Sequence, residues 1–420
     1  MLDLRALRRD PAPVQAALAR RGDVAADAID RLLALDARRR ELLPQVEGVK
    51  AEQNAASQQI GRAKAAGGDA STAIAAMQEV AARGKVLAAE LDAVTAELDP
   101  LLASLPNPPD PGAPDADSVL REAGERPAMT FTPLDHLELA GPDRIDMERG
   151  ARVAGARFAY LRGDLVRLEL ALVSWVLELL SGHGFEPVVP PVLVREQALF
   201  GTGFLPDTEQ QIYRLADDEL YLAGTSEVAL ASLHAGEIVA EQELPLRYAG
   251  FSPCFRREAG AAGRDTRGIF RVHQFDKVEM FAFVRPADSA DEHERLLAIE
   301  EEILTALGLP YRVVNIAVSD LGASAIKKYD CEAWLPGQGQ YRELTSTSNT
   351  TDYQARRLGI RYRPAEDGAR PEIVHTLNGT AVAVGRTIVA LLENGQQEDR
   401  SVALPDCLRP FGVPAVLPPA

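Results

Sequence analysis

The stretch FRREAGAAGRDTRGIFRVHQFDKVEMFAFV, residues 255–284, holds the densest polar cluster of the C-terminal part of the chain. Its two ends predict neighbouring strands of a hairpin, with a glycine-rich tip at Gly260 and Gly263 that carries Arg264 and Arg267. The polar and aromatic residues on or near these strands are Arg256, Glu258, Arg271, His273, Phe275 and Glu279. Converging guanidinium groups and a ring suit a triphosphate and a base. A surface hairpin laced with ion pairs explains the spacing equally well.

Other short apolar runs on both sides of this stretch predict further strands. They are VVPPVLV near residue 188, LYLAG near 220, VEMFAFV at 278–284 and YRVVNIAV at 311–318. An amphipathic helix is expected from Leu165 to Gly182, and a second helix over residues 382–393 after a loop. Short, turn-bounded strands favour an antiparallel-rich α+β domain over regular βαβ winding.

The N-terminal part has a different pattern, with apolar or small residues at spacings of three and four from Leu32 to Ala63 and from Met77 to Leu105. A Gly67–Gly68 turn joins the two stripes, which predicts an antiparallel coiled-coil hairpin. About 38 residues per helix would give an arm of about 55 to 60 Å. Pro44 is expected to kink the first helix or to remove one backbone hydrogen bond.

The segment PNPPDPGAP, residues 106–114, cannot continue a helix and predicts a stiff linker. We therefore divide the chain into an N-terminal domain at 1–105, this linker, and a C-terminal domain at 115–420.

Composition places the chain among soluble globular proteins. Its 420 residues are 46% hydrophobic and 25% charged, with a net charge of −17. The longest apolar stretch is far shorter than the roughly 20 residues of a membrane helix. The first residues carry charges where a secretory peptide needs an apolar run, so we expect a cytoplasmic protein. Three widely spaced cysteines disfavour a disulfide framework and a structural zinc site.

Several polar clusters outside the hairpin are candidate site residues, and each also has a structural explanation. Glu279, beside an apolar run, is either paired with a core arginine or holds an amine or hydroxyl of a ligand. TSE at 225–227 is either a helix cap or a binding element. The remaining clusters are YRELTSTSN at 341–349, with a carboxylate and a hydroxyl three residues apart that suit Mg²⁺, and LNGTAVAVGR at 377–386, with an arginine at a helix start that suits an anion.

Common nucleotide and hydrolase motifs are absent from the sequence. It has no GxxxxGK[ST] phosphate loop, no GxGxxG fingerprint, no GxSxG elbow and no HExxH pair. A nucleotide site in this chain must therefore use a different framework.

The conjunction of these segments resembles the bacterial-type seryl-tRNA synthetases, which are class II aminoacyl-tRNA synthetases, over essentially the whole chain. The arm is followed by GFEPVVPP at 184–191, which is similar to that class's first motif. FRREAG with RVHQFDKVEM is similar to the second motif and LNGTAVAVGR to the third. TSE and ELTSTSNTTDYQARR at 343–357 complete the resemblance.

The resemblance implies an antiparallel sheet of six to seven strands flanked by helices, and an ATP-dependent, AMP-forming serine–tRNA ligase. Serine would be activated to seryl-adenylate and then transferred to the 3′ end of tRNA(Ser), and of tRNA(Sec) as well. Arg256, Glu258 and Arg386 are implied as catalytic residues. The implied serine-binding residues are Thr225, Glu227, Arg256, Glu279, Asn378 and Thr380. The implied ATP-binding residues are Arg256, Glu258, Arg271, Val272, Phe275, Glu343 and Arg386, with Phe275 and Arg386 on either side of the base.

The resemblance also implies the partners. Glu343 and Ser346 would hold Mg²⁺ with ATP, and no zinc is expected. Arg264 and Arg267 would approach the tRNA acceptor end. A homodimer would use the region of Pro190 and Pro191. The arm would lie on the tRNA through basic side chains, although each of these also fits a solvated helix face: Arg31, Arg38, Arg39, Lys50, Arg62 and Lys64.

Two other functions remain open at this stage. One is a synthetase-like ligase that charges a carrier protein, although such enzymes generally lack the arm and use zinc ligands in the amino-acid pocket. The other is a dimeric coiled-coil scaffold with a degenerate catalytic domain, against which the retained polar residues argue. Serine-dependent pyrophosphate exchange and transfer to tRNA discriminate among the three.

Overall fold

A computed structural model describes residues 1–206, 210–259 and 265–420, except for the side chains of residues 23–26. The chain forms two compact units, Met1–Pro108 and Pro109–Ala420. No helix in the described part of the chain has both the length and the apolar character needed to cross a bilayer.

The first unit is helical. Its helices are α1 (Leu4–Arg9), α2 (Ala12–Ala19), α3 (Asp23–Ala65) and α4 (Ser71–Ser104). The two long helices have 43 and 34 residues, where about 38 each were expected. Helix α3 continues through Pro44, which lies on its exposed side. Gly67 has a φ of +70° in the connecting turn, a left-handed conformation that glycine adopts without strain.

The predicted antiparallel hairpin of α3 and α4 is confirmed. Ion pairs join Arg31 to Glu97, Arg38 to Glu90 and Arg83 to Glu52, so the partner number falls as the residue number rises. The apolar seam is buried near the base of the arm and only half-buried toward its tip. On the predicted seam, Arg39 is half-buried beside the Asp36 carboxylate.

The second unit contains the remaining elements. Its helices are α5 (His136–Arg144), α6 (Met147–Ala154), α7 (Asp164–Gly182), α8 (Glu196–Thr202), α9 (Glu227–Ala231), α10 (Ser289–Ala306), α11 (Tyr353–Leu358) and α12 (Val384–Gly395). Its strands are β1 (Ser118–Ala123), β2 (Ile145–Asp146), β3 (Tyr160–Leu161), β4 (Glu186–Val188), β5 (Leu193–Arg195), β6 (Tyr213–Leu215), β7 (Leu220–Leu222), β8 (Ile238–Ala240), β9 (Leu246–Phe255), β10 (Gln274–Val284), β11 (Tyr311–Asn315), β12 (Lys327–Leu335), β13 (Gln340–Thr351), β14 (Arg361–Arg363), β15 (Glu372–Ile373), β16 (His375–Ala383), β17 (Val402–Ala403) and β18 (Val416–Leu417).

The largest sheet of the described residues has eight strands, in the order β1-β11-β12-β13-β16-β10-β9-β4. Every neighbouring pair is antiparallel except β4 with β9. The α+β class is confirmed, with one strand more than the six or seven implied. Helices α7, α10 and α12 pack against this sheet and share its main apolar core.

Two details of the predicted secondary structure are wrong. Strand β9 ends at Phe255, so Arg256 and Glu258 lie in the connection to β10 and not on a strand, while Arg271 and His273 lie just before β10 begins at Gln274. The helix expected at 382–393 follows strand β16 directly, without the predicted loop. Apolar periodicity placed these segments, but it does not determine where the ladder hydrogen bonds stop.

Candidate active site

A cavity of about 590 Å³ opens in the second unit where β10, β13 and β16 meet the start of α12. The following residues proposed from the sequence line it: Thr225, Glu227, Arg256, Glu258, Arg271, Val272, Phe275, Glu279, Glu343, Ser346, Asn378, Thr380 and Arg386. Arg267 is not among the lining residues, and its guanidinium lies 2.9 Å from the Asp135 carboxylate. Arg264 lies outside the described residues.

The register of the central strands brings the polar residues of one end of the cavity together. Phe275, Lys277 and Glu279 alternate along β10, and successive odd positions of a strand share one face. Glu279 stands opposite Thr380 on β16, beside a register shift in the ladder. The Thr380 hydroxyl donates to the Glu279 carboxylate at 3.4 Å.

Two buried acids and one lysine form this acidic end. Glu279 is 3% exposed and pairs with Lys277, whose ammonium also donates to the Thr225 hydroxyl at 2.7 Å. Glu227, also buried, accepts from the Gln354 amide at 2.8 Å. Glu279 is therefore in a core ion pair, as one of the two explanations offered from the sequence required. Its partner is Lys277 and not an arginine, and both residues line the cavity. With both acids ionised, this end carries one uncompensated negative charge, which suits an ammonium group.

The TSE segment starts a helix and also borders the cavity. Helix α9 begins at Glu227, and the Thr225 hydroxyl accepts from the Glu227 backbone N–H at 3.2 Å. Ser226 makes no side-chain cap. One short segment thus starts the helix and places two side chains in the cavity.

Burial, and to a smaller extent the nearby Glu279 carboxylate, raises the pKa of Glu227 from 4.5 to about 7. Between these pH values the folded chain keeps a proton on Glu227 that the unfolded chain releases. Stability therefore decreases as pH rises through this interval, because the unfolded state gains the advantage of ionisation.

Glu227→Gln should remove this pH dependence while the side-chain oxygen can still accept from Gln354. We expect the wild-type chain to lose up to about 3 kcal/mol more unfolding free energy than the variant between pH 5 and pH 8. Urea unfolding followed by tryptophan fluorescence measures this in the second unit, which contains both Trp175 and Trp334. Parallel pH profiles would contradict the assignment.

Arginines and rings form the other end of the cavity. Arg256 lies over Phe275 at 5.2 Å from the ring centroid and donates to the Gly224 carbonyl at 3.1 Å. Arg386 lies over Phe270 at 4.8 Å. Planar cations beside aromatic faces are well suited to phosphates and a stacked base.

Arg271 and Glu258, which were both proposed for the nucleotide, contact each other. The Arg271 Nε donates to the Glu258 carboxylate at 2.6 Å. Glu258 has a φ of +50°, an uncommon conformation for a residue with a side chain. This turn directs the carboxylate back toward the arginine from the other limb of the connection.

A β-bulge brings Glu343 and Ser346 to the same side of β13. Residues three apart normally face opposite sides of a strand, but the register shifts between Glu332↔Glu343 and Cys331↔Thr345, and this leaves Leu344 as an extra residue. Both side chains therefore line the cavity.

The electrostatic setting of Glu343 favours its ionised form. Burial alone would raise the pKa of Glu343, but Arg386, Lys328 and Arg256 together hold it below its ordinary value. A carboxylate and a hydroxyl are hard oxygen donors of the type that Mg²⁺ prefers. Among the described residues, no group of three or more His, Cys, Asp or Glu is placed to hold a metal ion. The pair fits a cation that receives its remaining oxygens from phosphates and water.

Phe270, Lys277 and Lys328 are among the lining residues that were missed from the sequence. Lys277 could have been found, since it lies midway between Phe275 and Glu279 on the same strand face. Lys328 donates to Asp330 at 3.0 Å and joins the cavity through the pairing of β12 with β13. Phe270 lies in the irregular connection, where no periodic signal exists.

Comparison with known proteins identifies the family of this chain. Residues 1–109 match the seryl-tRNA synthetase N-terminal domain, and residues 211–395 match the tRNA synthetase class II core domain (G, H, P, S and T). The serine–tRNA ligase of Thermobifida fusca is 50% identical over 100% of this chain and 99% of its own length. This chain belongs to the seryl-tRNA synthetase family. The serine–tRNA ligase of Streptomyces coelicolor is also 50% identical, over 98% of this chain and 97% of its own length.

Solved structures of the seryl-tRNA synthetase family have the same fold. The seryl-tRNA synthetase from Pyrococcus horikoshii, complexed with ATP, superposes with a TM-score of 0.90 at 39% identity, covering 100% of both chains. The cytoplasmic serine–tRNA ligase from Naegleria fowleri, in complex with AMP, gives 0.86 at 30% identity, covering 100% of this chain and 99% of its own. The family and fold predicted from the sequence are thus confirmed.

Proposed function

We propose that this chain is an ATP-dependent serine–tRNA ligase with a single active site in the described cavity. In the first step the carboxylate of L-serine attacks the α-phosphate of ATP, which forms seryl-adenylate and releases pyrophosphate. In the second step the 3′-terminal ribose hydroxyl of tRNA takes the seryl group and AMP leaves. No covalent enzyme intermediate is needed, because positioning and charge stabilisation supply the catalysis.

The main support for this proposal is that the cavity has a cationic end and an acidic end. Arg256, Arg271 and Arg386 line one part with two aromatic rings, and Glu227 and Glu279 line the other. ATP is anionic and aromatic, whereas serine presents an ammonium group and a small hydroxyl. We assign Arg256 to the meeting point of the two ligands, because it contacts both Phe275 and the Gly224 carbonyl beside Thr225.

We assign the nucleotide roles as follows. Arg256 stabilises charge on the α-phosphate, and Glu258 and Arg271 bind at the adenine and phosphate side. The base stacks between Phe275 and Arg386, and Val272 contributes to the wall. Mg²⁺ would be held by Glu343 and Ser346, and when bound it neutralises phosphate charge.

We assign the serine pocket to the acidic end, with Thr225, Glu227, Glu279, Asn378 and Thr380. Lys277 adds to this set because it holds Thr225 and Glu279 in place. A pocket that hydrogen-bonds the serine hydroxyl should reject alanine by about 10⁴-fold, because buried polar groups are left unpaired. Threonine must be excluded by shape.

The helical hairpin is proposed to bind the tRNA. Arg31 and Arg38 pair with acids on the opposite helix, which weakens their candidacy as RNA contacts. Lys50, Arg62 and Lys64 are exposed toward the outer part of the arm and are better placed to meet phosphates. Arg264 and Arg267 remain candidates for the acceptor end, and tRNA(Sec) is a second candidate substrate.

A homodimer is supported by exposed apolar side chains on α7 and near Pro191. Leu170 and Val189 are 58% and 82% exposed, in neighbouring parts of the fold. Large exposed apolar groups that lie together mark interfaces more often than open surface. A cytoplasmic location suits the three proposed substrates.

Serine-dependent exchange of pyrophosphate into ATP tests the proposal. We expect exchange with serine, at least about 100-fold less with threonine, and less still with alanine. Charging of total tRNA with serine should follow the same order. Exchange without transfer to tRNA would support the carrier-protein ligase, and no serine-dependent exchange would support the scaffold.

A further inference from the structure

The C-terminal limb of the connection between β9 and β10 is attached to a segment more than 130 residues earlier in the chain. Arg267 pairs with Asp135 at 2.9 Å, and the backbone N–H of Ile269 donates to Nε2 of His136 at 3.2 Å. Between them, Gly268 has a φ of +83°, and a Cβ there would lie 2.1 Å from the same His136 nitrogen. The imidazole thus lies directly against this limb.

The donor at Ile269 determines the protonation of His136. A backbone N–H can only donate, so Nε2 must carry a lone pair and the ring must be neutral with its proton on Nδ1. That nitrogen faces Oε1 of Glu393 at 3.4 Å, and Oε2 of Glu393 accepts from the Gly337 backbone N–H at 3.0 Å. His136 and Glu393 are 4% and 0% exposed. The acid therefore selects the tautomer that accepts from the limb.

This attachment lies next to the nucleotide end of the cavity. Ile269, Phe270 and Arg271 are consecutive, and all three line the cavity. Arg386 stacks on Phe270 and contacts its carbonyl oxygen at 3.4 Å. Glu393 and Arg386 belong to the same helix, α12, two turns apart. The limb is thus held at Ile269 by His136, and His136 contacts Glu393 on α12, the helix that also carries Arg386.

We propose that His136 is a positioning residue for the nucleotide, which acts by holding Phe270 and Arg271 through the Ile269 amide. The inference rests on the proposed ATP site. In this role His136 must accept the hydrogen bond from the Ile269 N–H, and packing of its ring alone is not sufficient. Loss of the acceptor frees the limb and weakens ATP binding, whereas the serine pocket, built on β10, β16 and residues 225–227, is unaffected.

Substituting His136 with glutamine or with asparagine separates its role as a hydrogen-bond acceptor from its role in packing. In His136→Gln the side-chain oxygen can reach the position of Nε2 and still accept from Ile269. In His136→Asn the shorter side chain keeps a donor near Glu393 but cannot reach Ile269. His183→Asn is the matched control, since His183 pairs with Glu302 at 2.9 Å at the end of α7 and does not line the cavity.

Steady-state pyrophosphate exchange measures the effect. We expect His136→Asn to raise the KM for ATP about 3- to 10-fold, the loss of one hydrogen bond, with the KM for serine within about 2-fold. His136→Gln should recover most of the ATP affinity at a similar Tm, and His183→Asn should match the wild type. Equal ATP KM values in the Gln and Asn variants, or equal rises in both KM values, would overturn the inference. A wild-type chain without serine-dependent exchange would instead overturn the proposed function.

A measurement on the unsubstituted chain covers the case in which His136→Asn does not fold. A long-range ¹H–¹⁵N spectrum of histidine-labelled chain, with the His136 signal assigned by its loss in His136→Gln, reports the tautomer. We expect neutral His136 with its proton on Nδ1. A proton on Nε2 would leave no acceptor for Ile269 and would overturn the inference.

Discussion

Arg256→Gln is expected to lower the kcat of serine-dependent pyrophosphate exchange by about 100- to 1,000-fold. Arg256 lies over Phe275 and is anchored by the Gly224 carbonyl, so its guanidinium is held before any ligand arrives. Charge that develops on the α-phosphate during attack by the serine carboxylate needs a fixed cation at that position. Glutamine keeps much of the size and removes the charge.

Arg257→Gln is the matched control for this substitution. Arg257 is exposed and does not line the cavity, and its described hydrogen bond runs from its backbone N–H to the Gln211 carbonyl at 2.8 Å. The control should keep exchange within about 2-fold of the wild type, as surface substitutions usually do. If both variants lose activity equally, the loss reflects the connection as a whole and the role of Arg256 is wrong.

Shortening the helical arm is expected to separate activation from transfer. Replacing residues 54–83 with a short glycine-rich loop removes Arg62 and Lys64 but keeps the buried cluster at the base of the arm. Exchange should stay within about 2-fold, because the cavity lies wholly in the second unit. The kcat/KM for tRNA charging should fall about 100-fold or more, because several phosphate contacts are lost together.

The double substitution Arg62→Gln, Lys64→Gln in the full-length arm distinguishes charge from shape. It should reduce charging by a smaller factor than the shortened arm, about 10-fold. This deficit should grow as further basic side chains that contact phosphate are removed. Equal charging by the shortened and full-length chains would show that this hairpin does not bind the tRNA, while leaving the assignment of the cavity intact.

Much of the fold could be predicted from the sequence because its signals are periodic. Spacings of three and four predicted the helical hairpin, and the apolar run at 278–284 placed Phe275 and Glu279 on or near the strand that is β10. The ends of strands were less predictable. Arg256 and Arg271 lie beyond the ladder, where hydrogen bonds to distant segments decide the path of the backbone.

Site residues on regular strands could be predicted from the sequence. Site residues that meet through a bulge or through distant segments could not. Glu343 and Ser346 share a face only because of a bulge at Leu344, which their spacing of three does not reveal. His136 and Ile269 meet across 133 positions of sequence. Such contacts depend on packing of the whole unit, and a local pattern contains no information about them.

A crystal structure with a non-hydrolysable seryl-adenylate analogue would show whether one cavity holds both the nucleotide and the amino acid. We expect one ligand in the cavity, with its phosphate-like group at Arg256, its base between Phe275 and Arg386, and its seryl ammonium and hydroxyl groups at the acidic end with Glu279. An analogue bound elsewhere, or bound in the cavity with its seryl group away from Glu279, would show that the cavity is not the site of serine activation.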